Sequence, residues 1–140
     1  MMISSKGRYA LRVMIDLAEN QGPNPIPMKD VAARQEISLK YLEQILPSLV
    51  KHHYIIGIHG KGGGYKLAVP PEDCRVGDIL RAAEGDLNPV SCLECNDGTC
   101  KRASSCRTLQ LWENLNKMIN DYLDHDTVAD LMKPAEDPEP

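Results

Sequence analysis

The chain has 140 residues, 42% of them hydrophobic and 26% charged, and a formal net charge of −4. This is the composition of an ordinary soluble globular domain. With no apolar run near the roughly 18–20 residues of a bilayer span, it excludes membrane-spanning, collagen-like and wholly disordered classes. The net charge hides an asymmetry: residues 1–70 carry nine Lys/Arg against five Asp/Glu, and residues 71–140 carry seven against fifteen. A basic half joined to an acidic half permits a polyanion partner at one end.

The first stretch, MMISSKGRYA, has no apolar h-region and no small-residue cleavage site, so a cytoplasmic location is expected. Ala10, Val13, Met14, Leu17 and Ala18 recur at helical spacing; Ser4 or Ser5 caps this helix and Gly22-Pro23 ends it. After the turn-rich GPNPIP, a short helix is predicted over Met28–Arg34, with Met28, Val31 and Ala32 inward. Gln35-Glu36-Ile37 forms a tight link. Ser38 then caps a third helix whose apolar face is Leu39, Leu42, Ile45, Leu46, Leu49 and Val50. Pro47 inside it predicts a kink rather than a break, because the apolar phase continues beyond it.

Tyr54–His59 and Tyr65–Val69 read as two strands of a hairpin around Gly60-Lys61-Gly62-Gly63-Gly64, stopped by Pro70-Pro71. Helix, helix, turn, helix, hairpin is the order of a winged helix-turn-helix. A fourth helix is predicted over Val76–Ala83. The segment from Gly85 to about Ser104 has no periodicity. A long helix over about Ser105–Leu123 carries Leu109, Trp112, Leu115, Ile119, Tyr122 and Leu123 on one face, and Thr127 caps a last short helix through Leu131. The tail KPAEDPEP is acidic and Pro-rich, with the composition of a disordered end. The fold class expected is mainly α, a winged helix-turn-helix with a two-stranded wing and a long C-terminal dimerisation helix. Its parts are a DNA-binding domain at 1–84, a cysteine-rich loop at 85–104, the dimerisation and short terminal helices at 105–132, and a tail at 133–140.

In such a motif the second helix lies in the major groove with its N-terminal side chains on base edges. The candidates are Ser38, Lys40, Tyr41, Glu43 and Gln44. Lys40 suits a phosphate or guanine, Glu43 a cytosine amino group and Gln44 an adenine. His59, Lys61 and Gly62 at the wing tip, and Lys6, Arg8 and Arg12, are candidates for backbone contacts. The partner expected is double-stranded operator DNA. The glycine loop lacks the GxxxxGK[ST] pattern and lies between strands, so it is not a nucleotide cradle.

Four of the five cysteines fall within fifteen residues, as Cys92-x2-Cys95-x4-Cys100-x5-Cys106. In a reducing compartment such a cluster points to metal or redox chemistry before disulfides. Four soft thiolates suit an iron–sulfur cluster or tetrahedral zinc, and the opened second half departs from a zinc ribbon. Lys101, Arg102 and Arg107 lie beside the thiols. Cys92-Leu-Glu-Cys95 is formally CxxC but lacks the βαβ context of a thioredoxin-like enzyme; no enzymatic activity, small-molecule substrate or membrane partner is expected. The long helix with Trp112 has more apolar surface than an 80-residue domain needs, so a homodimer is expected.

The stretches SSKGRYALRVMIDLA, ISLKYLEQIL and GKGGGYKL, and the cysteine loop followed by LW, resemble the IscR/NsrR/CymR family of bacterial winged-helix regulators over residues 1 to about 132. The resemblance is nearest to the IscR-type iron–sulfur regulators. It implies a homodimeric transcription regulator that holds a cluster near the dimer interface and switches DNA binding with cluster state. It maps three cysteine ligands onto Cys92, Cys100 and Cys106. The family's histidine ligand position is Leu109 here, and the acidic residue used by NsrR-type members falls in the stretch where this chain has Arg8. Cys95 is then the first candidate for the fourth ligand, with an acidic residue or His125 from elsewhere and a small exogenous thiol as the alternatives, for a 2Fe–2S cluster first and a 4Fe–4S cluster second. CymR-type members lack the cluster and act with a cysteine-synthesis enzyme, which the cysteines here argue against. The alternatives are a zinc- or thiol-based redox repressor on the same fold, or a cluster-independent regulator acting through a protein partner.

Overall fold

The computed structural model describes residues 3–90 and 106–132. In chain order these form α1 (Ser5–Glu19), α2 (Met28–Gln35), α3 (Leu39–Lys51), β1 (Ile55–Ile58), β2 (Gly64–Leu67), a 3-10 turn at Pro71–Asp73, α4 (Val76–Glu84), α5 (Leu109–His125) and α6 (Val128–Leu131). The strands pair antiparallel, Ile55 with Leu67 through Ile58 with Gly64. The winged helix-turn-helix order is the one the periodicities predict.

α1 is the central element. Its stripe of Ala10, Val13, Met14 and Leu17 is wholly buried, and it packs on α2, α3, α4, α6 and β2. Each fully buried Val, Leu or Met contributes about 1.5–3 kcal/mol relative to exposure. Ser4 caps α1, its Oγ accepting from the Lys6 backbone N–H at 3.1 Å. The Glu84 carboxylate at the end of α4 accepts from the Ser4 N–H at 2.6 Å and the Gly7 N–H at 3.2 Å. An acidic group at a helix N-terminus also complements the dipole there.

Asp16 interrupts the apolar stripe and is only 1% exposed. It accepts from Arg34 Nε at 3.0 Å, Arg34 Nη2 at 2.7 Å and Gln35 Nε2 at 3.0 Å, so α1 holds the end of α2. The pairing keeps the Arg34 guanidinium further into its charged form. Arg12, one turn earlier, donates to the side chain and carbonyl of Gln35. Glu36 then takes the left-handed conformation, φ 55°, and its N–H bonds to the Ala32 carbonyl. That turn aims α3.

α3 runs as one helix through Pro47, so the break is excluded. Leu42, Ile45, Leu46 and Leu49 are buried as expected, but Leu39 and Val50 are 42% and 39% exposed. They lie at the flanks of the apolar arc, and each helix end projects past the core. Ala32 is only half-buried. The strands are shorter than predicted, because pairing stops where the loop bends away at His59. The GPNPIP connector adds a bridge between Ile26 and Tyr65 that its prolines concealed. α5 begins at Leu109 rather than Ser105 and reaches His125; 91–105, with the start predicted for this helix, and 133–140, with the predicted tail, lie outside the described residues.

α5 has no fully buried residue. It is fixed near its C-terminal end: Arg81 of α4 donates to Asn120 Oδ1 at 2.7 Å and to both oxygens of Asp124 at 2.9 Å. Val76 N–H to the Asp126 carbonyl and Val128 N–H to the Cys74 carbonyl close the seam. Val128 then enters the same core as α1, through a capping box of Thr127 and Asp130. Toward the cysteine loop, Leu111, Leu115 and Met118 stay exposed.

Replacing Asp16 by Ala removes three hydrogen bonds from a buried position and should cost about 2–4 kcal/mol. Urea unfolding checks this; a loss within about 0.5 kcal/mol, the range of surface substitutions, would contradict it.

Candidate nucleic-acid interface and cysteine loop

The first two turns of α3 carry the candidate reading residues. Ser38 is the N-cap, its Oγ accepting from the Tyr41 N–H at 3.1 Å. Ser38, Lys40, Glu43 and Gln44 are exposed. Tyr41 is not an outward residue as the sequence predicts. It is half-buried, its ring meeting the edge of Tyr9 at 5.4 Å, and it ties the start of α3 to α1. Arg12 stacks over the Tyr9 ring at 5.3 Å and bonds Gln35, so it holds the helix-turn-helix together instead of waiting for phosphate. Lys6 and Arg8 are exposed on the first turns of α1, and Arg8 Nη2 donates to Ser5 Oγ at 3.2 Å.

The wing tip carries His59, Lys61 and Gly62, all exposed. Gly62 has φ 77°, the left-handed region that a side chain disfavours. At Gly64 a Cβ would fall on the backbone of Ile26 and Pro27, so this position needs glycine for contact rather than for dihedral freedom. Glu43 of α3 and His59 of the wing line one groove. Of the candidate residues, the structure thus brings Glu43 and His59 together at one groove.

Of the predicted thiol ligands, Cys106 is the one described. It is half-buried just ahead of α5, with Sγ 3.3 Å from Thr108 Oγ1. Cys92, Cys95 and Cys100 lie outside the described residues. Leu109, at the histidine position of the resemblance, is the first residue of α5 and has no donor atom. The loop that carries the cysteines runs from α4, whose last residue Glu84 clasps α1, to α5. Cys74 is separate from it. It is fully buried, and burial, reinforced by Asp73, Asp78 and Glu72, pushes its thiol up to about 11. It stays protonated at neutral pH and is a packing residue.

The sequence reading passed over two functional supports. Asp16 and Arg34 orient the helix-turn-helix, and a carboxylate in phase with a buried stripe was the available signal. Arg81 anchors α5; no local pattern marks it, because its partners lie 39 and 43 residues away.

Residues 3–134 match the family described as Rrf2, iron-dependent transcriptional regulator. The chain is 36% identical over 136 residues to the HTH-type transcriptional regulator IscR of Vibrio campbellii, covering 97% of this chain and 80% of that protein. Among solved structures it is similar to CymR, the global cysteine regulator of B. subtilis, with TM-score 0.74 and 36% identity over 94% of this chain and 95% of that one. It is similar to T. potens IscR with TM-score 0.70 and 36% identity, covering 94% and 85%. Sequence identity is thus the same toward both of these solved regulators, and the TM-score is higher toward CymR.

Gly64→Ala should force the wing off the Ile26–Pro27 connector and destabilise the fold by about 1–3 kcal/mol, as overpacking does. A melting temperature equal to that of the unaltered protein would show that the connector yields instead.

Proposed function

The chain belongs to the Rrf2 family of transcriptional regulators, and we propose that it is a cytoplasmic homodimer whose operator binding responds to an iron–sulfur cluster held by the cysteine loop. The observation that carries this reading is the placement of the loop. It holds four thiols and is strung between α4 and α5, with Cys106 at the foot of the helix that we assign to the dimer.

The donor set fits such a group. Cys92, Cys100 and Cys106 are the thiolates the family pattern supplies, and Cys95, in the same loop, takes the place that Leu109 cannot fill. Thiolates suit iron and zinc alike, but the x2, x4 and x5 spacing departs from a paired zinc knuckle. The 2Fe–2S form is favoured, with 4Fe–4S as the alternative. When bound, a cluster supplies a redox- and nitric-oxide-sensitive centre. The four cysteines distinguish this chain from a cluster-free regulator of the CymR kind, although it is 36% identical to a CymR of known structure.

The chain's own residues carry the response. The loop begins at Glu84, which holds Ser4 and Gly7 at the N-terminus of α1. It leads into α5, whose C-terminal half is pinned by Arg81. A change of cluster state therefore acts on α1 from one side and on the spacing of two α5 helices from the other, a shift between two states of the reading heads. In the operator complex Lys40 and Gln44 face the duplex, Ser38 and Tyr41 set the start of α3, and Glu43 discriminates among bases, since a carboxylate adds no affinity for phosphate. His59, Lys61 and Gly62 lie on the backbone, with Lys6 and Arg8 contributing charge.

Anaerobically purified protein should be brown, contain iron and acid-labile sulfide, and lose its visible absorption on Cys100→Ala. Stoichiometric zinc without iron or sulfide, even after anaerobic reconstitution, would replace this reading with that of a zinc-stabilised or thiol-based redox repressor.

A further inference from the structure

α4 is gripped at both ends, and each grip is a carboxylate set over a glycine. At its start, a Cβ on Gly77 would fall on Asp124 Oδ1 of α5 and stand 3.1 Å from the Arg81 guanidinium nitrogens. At its end, Glu84 reaches the first turn of α1, where a Cβ on Gly7 would stand 2.5 Å from Glu84 Oε2. We infer that α4 is a strut that carries a displacement of α5 to the N-terminus of α1, with Gly77 and Gly7 as the positioning residues that seat its two carboxylate grips. The part this gives α4 in regulation rests on the reading of α5 as the dimer helix and of the cysteine loop as its sensor.

Three observations support it. The first is the choice of glycine. Gly7 and Gly77 are both buried in the first turn of a helix, and neither has a positive φ. Glycine weakens a helix relative to alanine, so dihedral freedom accounts for neither position. The close approach of a carboxylate accounts for both. The second is that each grip is bonded several times over. Arg81 joins Asp78 at 3.1 Å to Asn120 and Asp124. The main chain continues that grip through Val76 N–H to the Asp126 carbonyl. Glu84 accepts from the N–H and Oγ of Ser4 and from the Gly7 N–H. The third is a small apolar cluster of its own. Val76, Leu80 and Leu87 pack with Leu123 of α5 and with Ile3 and Leu11 beside and within α1, apart from the main core. α5 packs chiefly on α4, and α4 packs in turn on α1 and α3. α4 therefore touches the helix that is displaced and the two helices that set the reading head.

Residue-resolved hydrogen exchange on the full-length protein tests the strut without cluster or DNA. The perturbation is made at the α5 end and the response is read at the α1 end. Gly77→Ala and Asp124→Ala should each speed exchange of the Ser4 and Gly7 amides by at least about fivefold, the lower end of ordinary coupling between sites. The double variant should add little to the larger single effect, because both changes remove the same grip. Gly7→Ala displaces Glu84 directly and serves as the positive control, and Lys117→Ala on α5 should change nothing. The clash at Gly77 is with the end of a side chain, so the carboxylate yields and the fold remains. The α2 amides should keep their rates. Unchanged Ser4 and Gly7 amides in Gly77→Ala and Asp124→Ala would overturn the inference. Equal acceleration of the α2 amides would overturn it too, since that is general loosening. On a duplex whose Kd changes when the cluster is stripped, Gly77→Ala should bring the ratio of the two Kd values toward one, and a preserved ratio would contradict the regulatory part. Exchange that follows the prediction in a protein whose Kd ignores the cluster would refute the cluster reading and leave the strut standing.

Discussion

The orientation of the reading helix depends on one buried carboxylate. Asp16 sits in the middle of the apolar stripe of α1 and is 1% exposed. A charge there is tolerated only if its oxygens are fully bonded. Arg34 and Gln35 supply those bonds from the end of α2. The constraint therefore runs both ways: Asp16 holds α2, and the cost of an unpaired Asp16 prevents α2 from drifting. The left-handed turn at Glu36 follows directly, and α3 leaves it at a fixed angle. The Tyr9–Tyr41 edge contact repeats the constraint one helix further on. Apolar burial alone would let α3 roll, since ridge-and-groove packing allows a spread of angles.

A second set of polar contacts joins α5 and the N-terminus of α1 to α4. Arg81 forks onto Asn120 and Asp124, and Glu84 gathers the backbone amides of Ser4 and Gly7. Both residues belong to α4, the helix that leads into the cysteine loop. α5 is thus anchored near its C-terminal end, and Leu111, Leu115, Met118 and Tyr122 are exposed along it. Among the described residues, the Arg81 fork is the polar contact that holds α5 to α4. Local openness of this kind belongs to elements that move in regulation.

Much of the architecture was legible because it rests on local rules. The period of Ala10, Val13, Met14 and Leu17, the Ser38 cap, the glycine turn and the Thr127 cap each mark an element through neighbouring residues. The misreadings arose where tertiary context decides. Leu39 and Val50 have the right phase but lie past the ends of the core. Tyr41 has the phase of a surface residue, and Tyr9 draws it inward. Ile26 pairs with Tyr65 despite its flanking prolines, because the bridge needs only the N–H and C=O of Ile26 itself. Arg81 and Glu84 act over sequence distances of 39 to 80 residues that no periodicity reports. For the candidate site, the order of helices and wing was legible, whereas the half-burial of Tyr41 against Tyr9 was not.

The central claim is that the state of the cysteine loop changes how the reading heads meet DNA. It is tested most directly on a single anaerobic preparation. A duplex is first selected from a random-sequence library with the cluster-loaded protein, and its Kd is then measured before and after the cluster is removed by a chelator at constant salt. The account predicts a change of at least about fivefold, the lower end of ordinary allosteric coupling. Equal affinities for the loaded and stripped forms on that duplex would contradict it.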